Sequence, residues 1–355
     1  MSRLFEPLSL RGLTLPNRAW VSPMCQYSAT DGVPNDWHLV HLGQFAVGGA
    51  GLVLTEASAV TPEGRISPQD TGIWNDEQVA AWRRVTDFVH AQGAVIGMQL
   101  AHAGRKASTR RPWEGSGSVP ASEGGWQSVG ADDQPFGDYA PARPLTTDEV
   151  ARIPADFAAG ARRALDAGFD LVELHLAHGY LGHQFLSPLS NSRTDRYGGD
   201  FEGRTRLALE LTEAVRAEIG PGVPLLTRIS ASDWADGGWS PDDSVHLVKL
   251  LADRGTDLVD VSSGGNVLHP RIPVGPGYQV PFAERIRRET AVPTGAVGMI
   301  TEPEQAEQIV ATGSADAVFL ARALLRDPHW PQRAAHALGA EVRWADQYLR
   351  AKPRR

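Results

Sequence analysis

Short apolar runs alternate with stretches of helical periodicity along nearly the whole chain, and this alternation restricts the possible folds more than any other feature. Six runs are clear: Ala50-Gly-Leu-Val-Leu-Thr, Ala94-Val-Ile-Gly-Met-Gln-Leu, Asp170-Leu-Val-Glu-Leu-His, Pro224-Leu-Leu-Thr-Arg-Ile, Asp257-Leu-Val-Asp-Val-Ser and Ala315-Asp-Ala-Val-Phe-Leu. Runs this short and this apolar read as strands buried on both faces. Between them, residues 76–92, 147–167, 201–219, 241–254, 281–289 and 302–311 place apolar side chains three or four apart, the period of a helix with one buried face. Ala167-Gly-Phe-Asp, Arg254-Gly-Thr-Asp and Thr312-Gly-Ser-Ala-Asp repeat one device, a helix that ends on a glycine and hands over to a buried strand. Weaker strands at 19–23 and 293–296 bring the series to eight βα units.

Parallel strands with right-handed crossovers form either an open doubly wound sheet or a closed barrel. Eight units without a Gly-rich dinucleotide fingerprint after the first strand favour the barrel, so the expected fold is an α/β (β/α)8 TIM barrel. The 355 residues suit one such barrel with insertions, and no linker is visible, so 1–355 is expected to form a single domain. Residues 103–143 stand apart, rich in Gly, Pro, Ser and Trp and without periodicity. A segment that long after strand three is expected to act as a lid over the active face.

Composition removes several function classes. No apolar run approaches the roughly 20 residues of a membrane helix, and Met1-Ser-Arg-Leu-Phe-Glu-Pro lacks a signal-peptide core, so a cytoplasmic protein is expected. Cys25 is the single cysteine, which excludes an intrachain disulfide and a Cys-rich metal or iron–sulfur site. A net charge of −8 argues against a nucleic-acid partner. The basic cluster Arg105, Lys106, Arg110 and Arg111 reads as a solvated loop.

Catalytic residues of such barrels stand at the C-terminal ends of the strands. In order, those ends read Ser22-Pro-Met-Cys-Gln-Tyr27, Thr55-Glu-Ala57, Gln99-Leu-Ala-His102, His175-Leu-Ala-His178-Gly-Tyr180, Arg228, Ser262-Ser-Gly-Gly, Gly295-Ala-Val-Gly298 and Ala321-Arg322. The last two suit a phosphate, which barrels often hold on backbone N–H groups of the loops after strands seven and eight, with Arg322 as a charged fork. Those glycines could also serve tight turns alone. His175, His178 and Tyr180 offer two imidazole donors and a phenol, a set that can hold an oxygen gaining negative charge and supply a proton. The same histidines are also compatible with a metal site or with satisfied core positions.

At these positions the sequence resembles the old yellow enzymes, and more closely their bacterial branch of small thermostable ene-reductases with an active-site cysteine. The resemblance runs from Leu4-Phe-Glu-Pro-Leu, Asn17-Arg18 and Ser22-Pro-Met-Cys-Gln-Tyr27 through Glu56-Ala-Ser-Ala-Val, Gly64-Arg-Ile and Gln99-Leu-Ala-His-Ala-Gly-Arg-Lys-Ala107. It continues in Ala177-His-Gly-Tyr-Leu, Ser187-Pro-Leu-Ser-Asn-Ser-Arg-Thr-Asp-Arg-Tyr-Gly-Gly199 and Phe201-Glu-Gly-Arg-Thr-Arg206, and closes with Gly277-Tyr-Gln-Val, Gly295-Ala-Val-Gly-Met-Ile and Leu325-Arg-Asp-Pro. It implies an FMN cofactor reduced by NADPH or NADH, with Ser22, Pro23, Met24 and Cys25 beside the flavin and Ala57 and Gln99 at its polar edge. Arg228 would face N1 and the C2 carbonyl, and Arg322 with the backbone of Gly298 and Ala321 would hold the phosphate. Relatives usually carry Gly in place of Ala321, so a positive φ there would be costly in this chain.

The implied reaction passes a hydride from NAD(P)H to flavin N5 and then to the β-carbon of an α,β-unsaturated carbonyl, a nitroalkene, a quinone or a maleimide. His175 and His178 would hold the substrate oxygen, Tyr180 would protonate the α-carbon, and Tyr27 would touch the substrate. Cys25 would tune the flavin, and nothing requires it to act as a nucleophile. Gln347-Tyr-Leu-Arg350, in the 340–355 tail, resembles a segment that inserts its arginine into a neighbouring subunit's site, which implies a homodimer or homotetramer. The competing reading is a metal-dependent hydrolase or lyase on the same fold with His102, His175 and His178 as ligands, although the carboxylate ligands usual for such sites are missing. A flavoprotein that only binds or senses is the third reading.

Overall fold

The computed structural model describes residues 2–353, and the final two residues of the tail lie outside them. Eight parallel strands close into a barrel: β1 (Ala19–Val21), β2 (Leu52–Ala59), β3 (Val95–Ala101), β4 (Leu171–Leu176), β5 (Leu225–Ser230), β6 (Leu258–Ser262), β7 (Thr294–Ala296) and β8 (Ala317–Leu320). β8 pairs with β1, Val318 opposite Ala19, which closes the ring. The surrounding helices are α1 (Asp36–Val47), α2 (Asp76–Ala91), α3 (Ile153–Asp166), α4 (Phe201–Ile219), α5 (Pro241–Asp253), α6 (Val280–Thr290), α7 (Pro303–Ala311) and α8 (Trp330–Ala337). Among the described residues no helix is long and apolar enough to cross a membrane.

Two elements depart from the sequence reading. Helix α1 carries no clean apolar stripe, because His38 and His41 occupy buried positions while Trp37 and Val40 point outward. Its start is set instead by Asn35, whose side chain accepts the Trp37 N–H while His38 Nδ1 accepts the Asn35 N–H. The stretch 147–167 is two helices: a single turn, Thr147–Val150, capped by Thr146, and then α3. Pro154 near the start of α3 lacks the N–H that a continuous helix would bond at that point, so the chain restarts there.

Strand alternation sorts the barrel interior into tiers. Val172, Leu174 and Leu176 face the helices, while Leu171 joins Trp20, Leu52, Leu54, Val95, Leu226, Leu258 and Phe319 in an apolar plug inside. Trp20 and Phe319 meet edge to face, centroids 5.3 Å apart. An N-terminal hairpin, Leu8–Leu10 with Leu13–Leu15, lies across the lower end and sets Leu10 and Leu15 into this plug. Gly12 N–H donates to Gly222 O, and Arg11 reaches Asp257 at the foot of β6, so the hairpin is tied down at its turn. Above the plug the inward positions become polar, with Gln99 on β3, Glu173 on β4, Arg228 on β5 and Asp260 on β6. The upper tier carries Ala57, His175, Ser230 and Ser262.

Candidate active site

The turn after β4 delivers the histidines and the tyrosine together. His175 is the last inward residue of β4, and its ring lies 5.2 Å from that of His178 and 5.1 Å from that of Tyr180, centroid to centroid. The turn is tight, since His178 adopts φ +60° and Gly179 φ +72°. A Cβ at position 179 would fall 2.4 Å from Gly265 O, so only glycine fits. The backbone is held from three sides. His178 N–H donates to Ser230 Oγ at 2.9 Å, Lys106 Nζ donates to His178 O at 2.8 Å, and Gly179 N–H donates to His183 Nδ1 at 2.9 Å.

Burial above all, with the Arg228 charge second, holds both His175 and His178 well below the ordinary histidine range, so both are neutral at physiological pH. His178 Nε2 pairs with Ser262 Oγ at 2.8 Å, while His175 Nδ1 is buried with no hydrogen-bond partner. Burial and the neighbouring Cys25 push the Tyr180 phenol well above its usual value, so it keeps its proton. Cys25 is raised by burial and then by Asp70 and Glu56, which makes it a thiol rather than a thiolate.

Cys25, Tyr27 and Tyr180 pack with Ala57, Ile66, Ala101, Ala103, Ala107 and Trp126 as one apolar wall. The loop carrying Ser22, Pro23, Met24 and Cys25 is pinned by Gln26, whose N–H donates to Glu56 Oε1 and whose side chain donates to Met24 O. Ala57 lies in register with Gln99, as a shared polar edge requires. From 103–143, Trp113 packs edge to face on Tyr27 at 5.8 Å, and Lys106 approaches Tyr180. The segment is not structureless; it contains the short helical turns Gly104–Lys106 and Ala121–Glu123 and a two-residue pairing of Val129–Gly130 with Arg143–Pro144.

The basic cluster is not a solvated loop throughout. Arg105 is buried and donates to Asn266 O and Oδ1, and Lys106 donates to the carbonyls of His178 and Gly265. Only Arg110 and Arg111 pair at the surface, with Glu123 and Glu114. The isolated sequence gives no sign of this, because the partners lie far along the chain.

Between the ends of β7 and β8 a cavity of about 230 Å³ is lined by Tyr278, Gly298, Met299, Ala321, Arg322 and Arg326. Gly298 lines this cavity with φ +120°, and a Cβ there would crowd Gln279, so a side chain at this position would be strained and would clash. Ala321 adopts φ −113°, and its methyl therefore carries no left-handed penalty. The residues present fit FMN at both ends: two arginines and a glycine line the cavity that would take its phosphate, and the buried Arg228 offers a cation to its ring. Tyr278 and Arg326 were not evident from the sequence, because strand-end logic does not reach the loop before α6 or the turn after Arg322.

The ligand set of the hydrolase reading does not assemble. His102 turns its Nδ1 to the Gly104 N–H at 3.0 Å, and among the described residues no group of three or more His, Cys, Asp and Glu is gathered for a metal ion. Arg350 is exposed and has no hydrogen-bond or ion-pair partner among the described residues.

Comparison with known proteins agrees with this arrangement. The sequence profile of the NADH:flavin oxidoreductase / NADH oxidase family matches residues 3–341. An NADPH dehydrogenase of Geobacillus thermodenitrificans is 47% identical over 350 residues, covering 98% of each chain, and an NADPH dehydrogenase of Bacillus subtilis is 44% identical with the same coverage. Among solved structures, morphinone reductase in complex with tetrahydroNAD superposes with a TM-score of 0.78 at 30% identity, over 97% of this chain and 92% of that one. The barrel, the strand-end residues and these full-length matches agree: the chain belongs to the NADH:flavin oxidoreductase family of old yellow enzymes and is an NAD(P)H-dependent flavin oxidoreductase with FMN as its cofactor.

Proposed function

We propose that this protein is an ene-reductase that saturates the activated C=C bond of α,β-unsaturated carbonyls and of similar nitroalkenes, quinones and maleimides. The observation that carries the reading is the convergence of His175, His178 and Tyr180 around a buried ring nitrogen, His175 Nδ1, that no protein atom satisfies. FMN, when bound, supplies the hydride that it has taken from NADPH or NADH. The two neutral imidazoles hold the substrate oxygen and stabilise the charge that develops on it, without the cost of an already charged site. The pairing of His178 Nε2 with Ser262 Oγ holds that imidazole in place beside His175. Tyr180 then gives its proton to the α-carbon.

Arg228 stabilises negative charge at the flavin pyrimidine edge, Ala57 and Gln99 line that edge, and Ser22, Pro23, Met24 and Cys25 flank the ring. Arg322, with Gly298 and Ala321, grips the phosphate, and Tyr278 and Arg326 complete that grip. Tyr27 with Trp113 bounds the substrate space beneath the 103–143 lid. Arg350 reaches the site of a neighbouring subunit in a homodimer or homotetramer; its exposure, with no side-chain partner among the described residues, supports that role.

The first test is the absorbance of the purified protein. A yellow sample that anaerobic NADPH bleaches and cyclohexenone recolours is expected, and a protein that neither carries nor takes up FMN would end the reading. His175→Ala is expected to slow enone reduction by about 10²- to 10³-fold, the usual cost of one oxyanion donor. It should also weaken the charge-transfer band formed with phenols, and a phenol titration identical to wild type would exclude His175 from oxygen binding.

A further inference from the structure

The polar tier halfway down the barrel has a charge imbalance that the reaction does not explain. Arg228 Nε lies 3.0 Å from Asp260 Oδ2, and Gln99 Nε2 donates to Glu173 Oε1 at 2.8 Å. All four residues are 6% exposed or less. One Glu173 oxygen and both Asp260 oxygens have no hydrogen-bond donor. Around Glu173, β6 contributes Asp260, β5 Arg228, β3 Gln99, and its own strand His175, which is neutral. The inward residues Trp20, Leu54, Gly295 and Phe319 from the other four strands carry no charge.

One cation among two buried carboxylates leaves an uncompensated negative charge, which a water-poor interior strongly disfavours. One retained proton makes the tier neutral. Asp260 sits against the guanidinium, whereas the only hydrogen bond to Glu173 comes from an uncharged amide. Burial and then the Asp260 charge push Glu173 well up, while at Asp260 the Arg228 charge opposes the effect of burial.

We propose that Glu173 is a positioning residue that carries this proton, so that Arg228 is offset by one buried carboxylate instead of two and its charge stays available to the flavin. The inference rests on the reading of Arg228 as the cation at the flavin edge. It fixes the direction of a pH effect. Where Glu173 is protonated, reduction draws two electrons from NADPH and only the proton that the flavin itself takes. Where Glu173 has ionised, the extra anion opposes reduction. Across its titration, each two-electron reduction draws one further solvent proton onto the Glu173 carboxylate, because the incoming negative charge raises its proton affinity.

The test is the midpoint potential of the FMN-loaded protein, followed by photoreduction against reference dyes from mildly acidic to alkaline pH. Wild type is expected to show a window in which the slope steepens by one proton per two electrons, a tenfold change per pH unit or about 30 mV. Glu173→Gln should keep the shallower slope throughout, match wild type at low pH and lie above it at high pH. Asp260→Asn removes the repelling carboxylate, so its steep window should move to lower pH. A Glu173→Gln profile that parallels wild type everywhere overturns the proposal. Arg228→Gln separates the two readings: a lowered potential or loss of FMN upholds Arg228 at the flavin edge, and an unchanged potential overturns that assignment instead.

Discussion

Tyr180→Phe is expected to slow reoxidation by an enone by about 10²- to 10⁴-fold, the range for removing a positioned general acid, while reduction by NADPH stays nearly unchanged. The phenol sits 5.1 Å, ring to ring, from His175, and burial keeps its proton on at any working pH. It can therefore give a proton to carbon only where a carbanion-like centre forms beside it, which happens in the second half of the cycle and not in the first. Phenylalanine retains the ring within the same apolar wall, so the loss should be chemical and not structural. Stopped-flow measurement of the two halves separately decides the matter. Equal losses in both would show that Tyr180 shapes the cavity and does not donate.

The second large effect is expected away from the reacting atoms. Asp233 is fully buried and is met from three elements: His183 Nε2 lies 3.0 Å from its Oδ1, while Ser187 Oγ at 2.5 Å and the Trp239 N–H at 2.9 Å donate to its Oδ2. Burial alone would raise this carboxyl, but His183, Ser187 and the Trp239 N–H outweigh it and hold it at about 2. A depressed carboxyl stabilises the fold above its ordinary range, and that contribution is lost as the pH falls toward 2. Asp233→Ala leaves those donors buried and unpaired, and should cost about 3–5 kcal/mol, as for one partner removed from a buried pair. Urea unfolding at neutral pH measures this, and a loss under about 1 kcal/mol, the size of a surface contact, would refute it. Because His183 also accepts the Gly179 N–H, the surviving folded fraction should bind phenols more weakly.

How much of this was legible in the chain depends on the range of the interaction involved. The eight strands, the barrel and the strand-end residues follow from local periodicity and from the rule that such ends carry chemistry, and the structure has all eight strands where they were expected. Helix α1 escaped because its buried face is partly histidine, which a hydrophobic pattern does not register. Glu173 and Asp260 were present as charges inside otherwise apolar strands, a visible signal, but only the closed barrel sets Asp260 against Arg228 and Glu173 against Gln99 in one tier. His183 and Asp233, fifty residues apart, join only in three dimensions. The same holds for Arg105 and Asn266, and for Lys106 and the carbonyl of Gly265.

The hairpin seated beneath the barrel turns the interior into a cul-de-sac. With Leu10 and Leu15 sealed against Trp20 and Leu52, nothing can thread the fold from below. Electron donor and electron acceptor must therefore both approach from the upper end, where His175, His178 and Tyr180 stand.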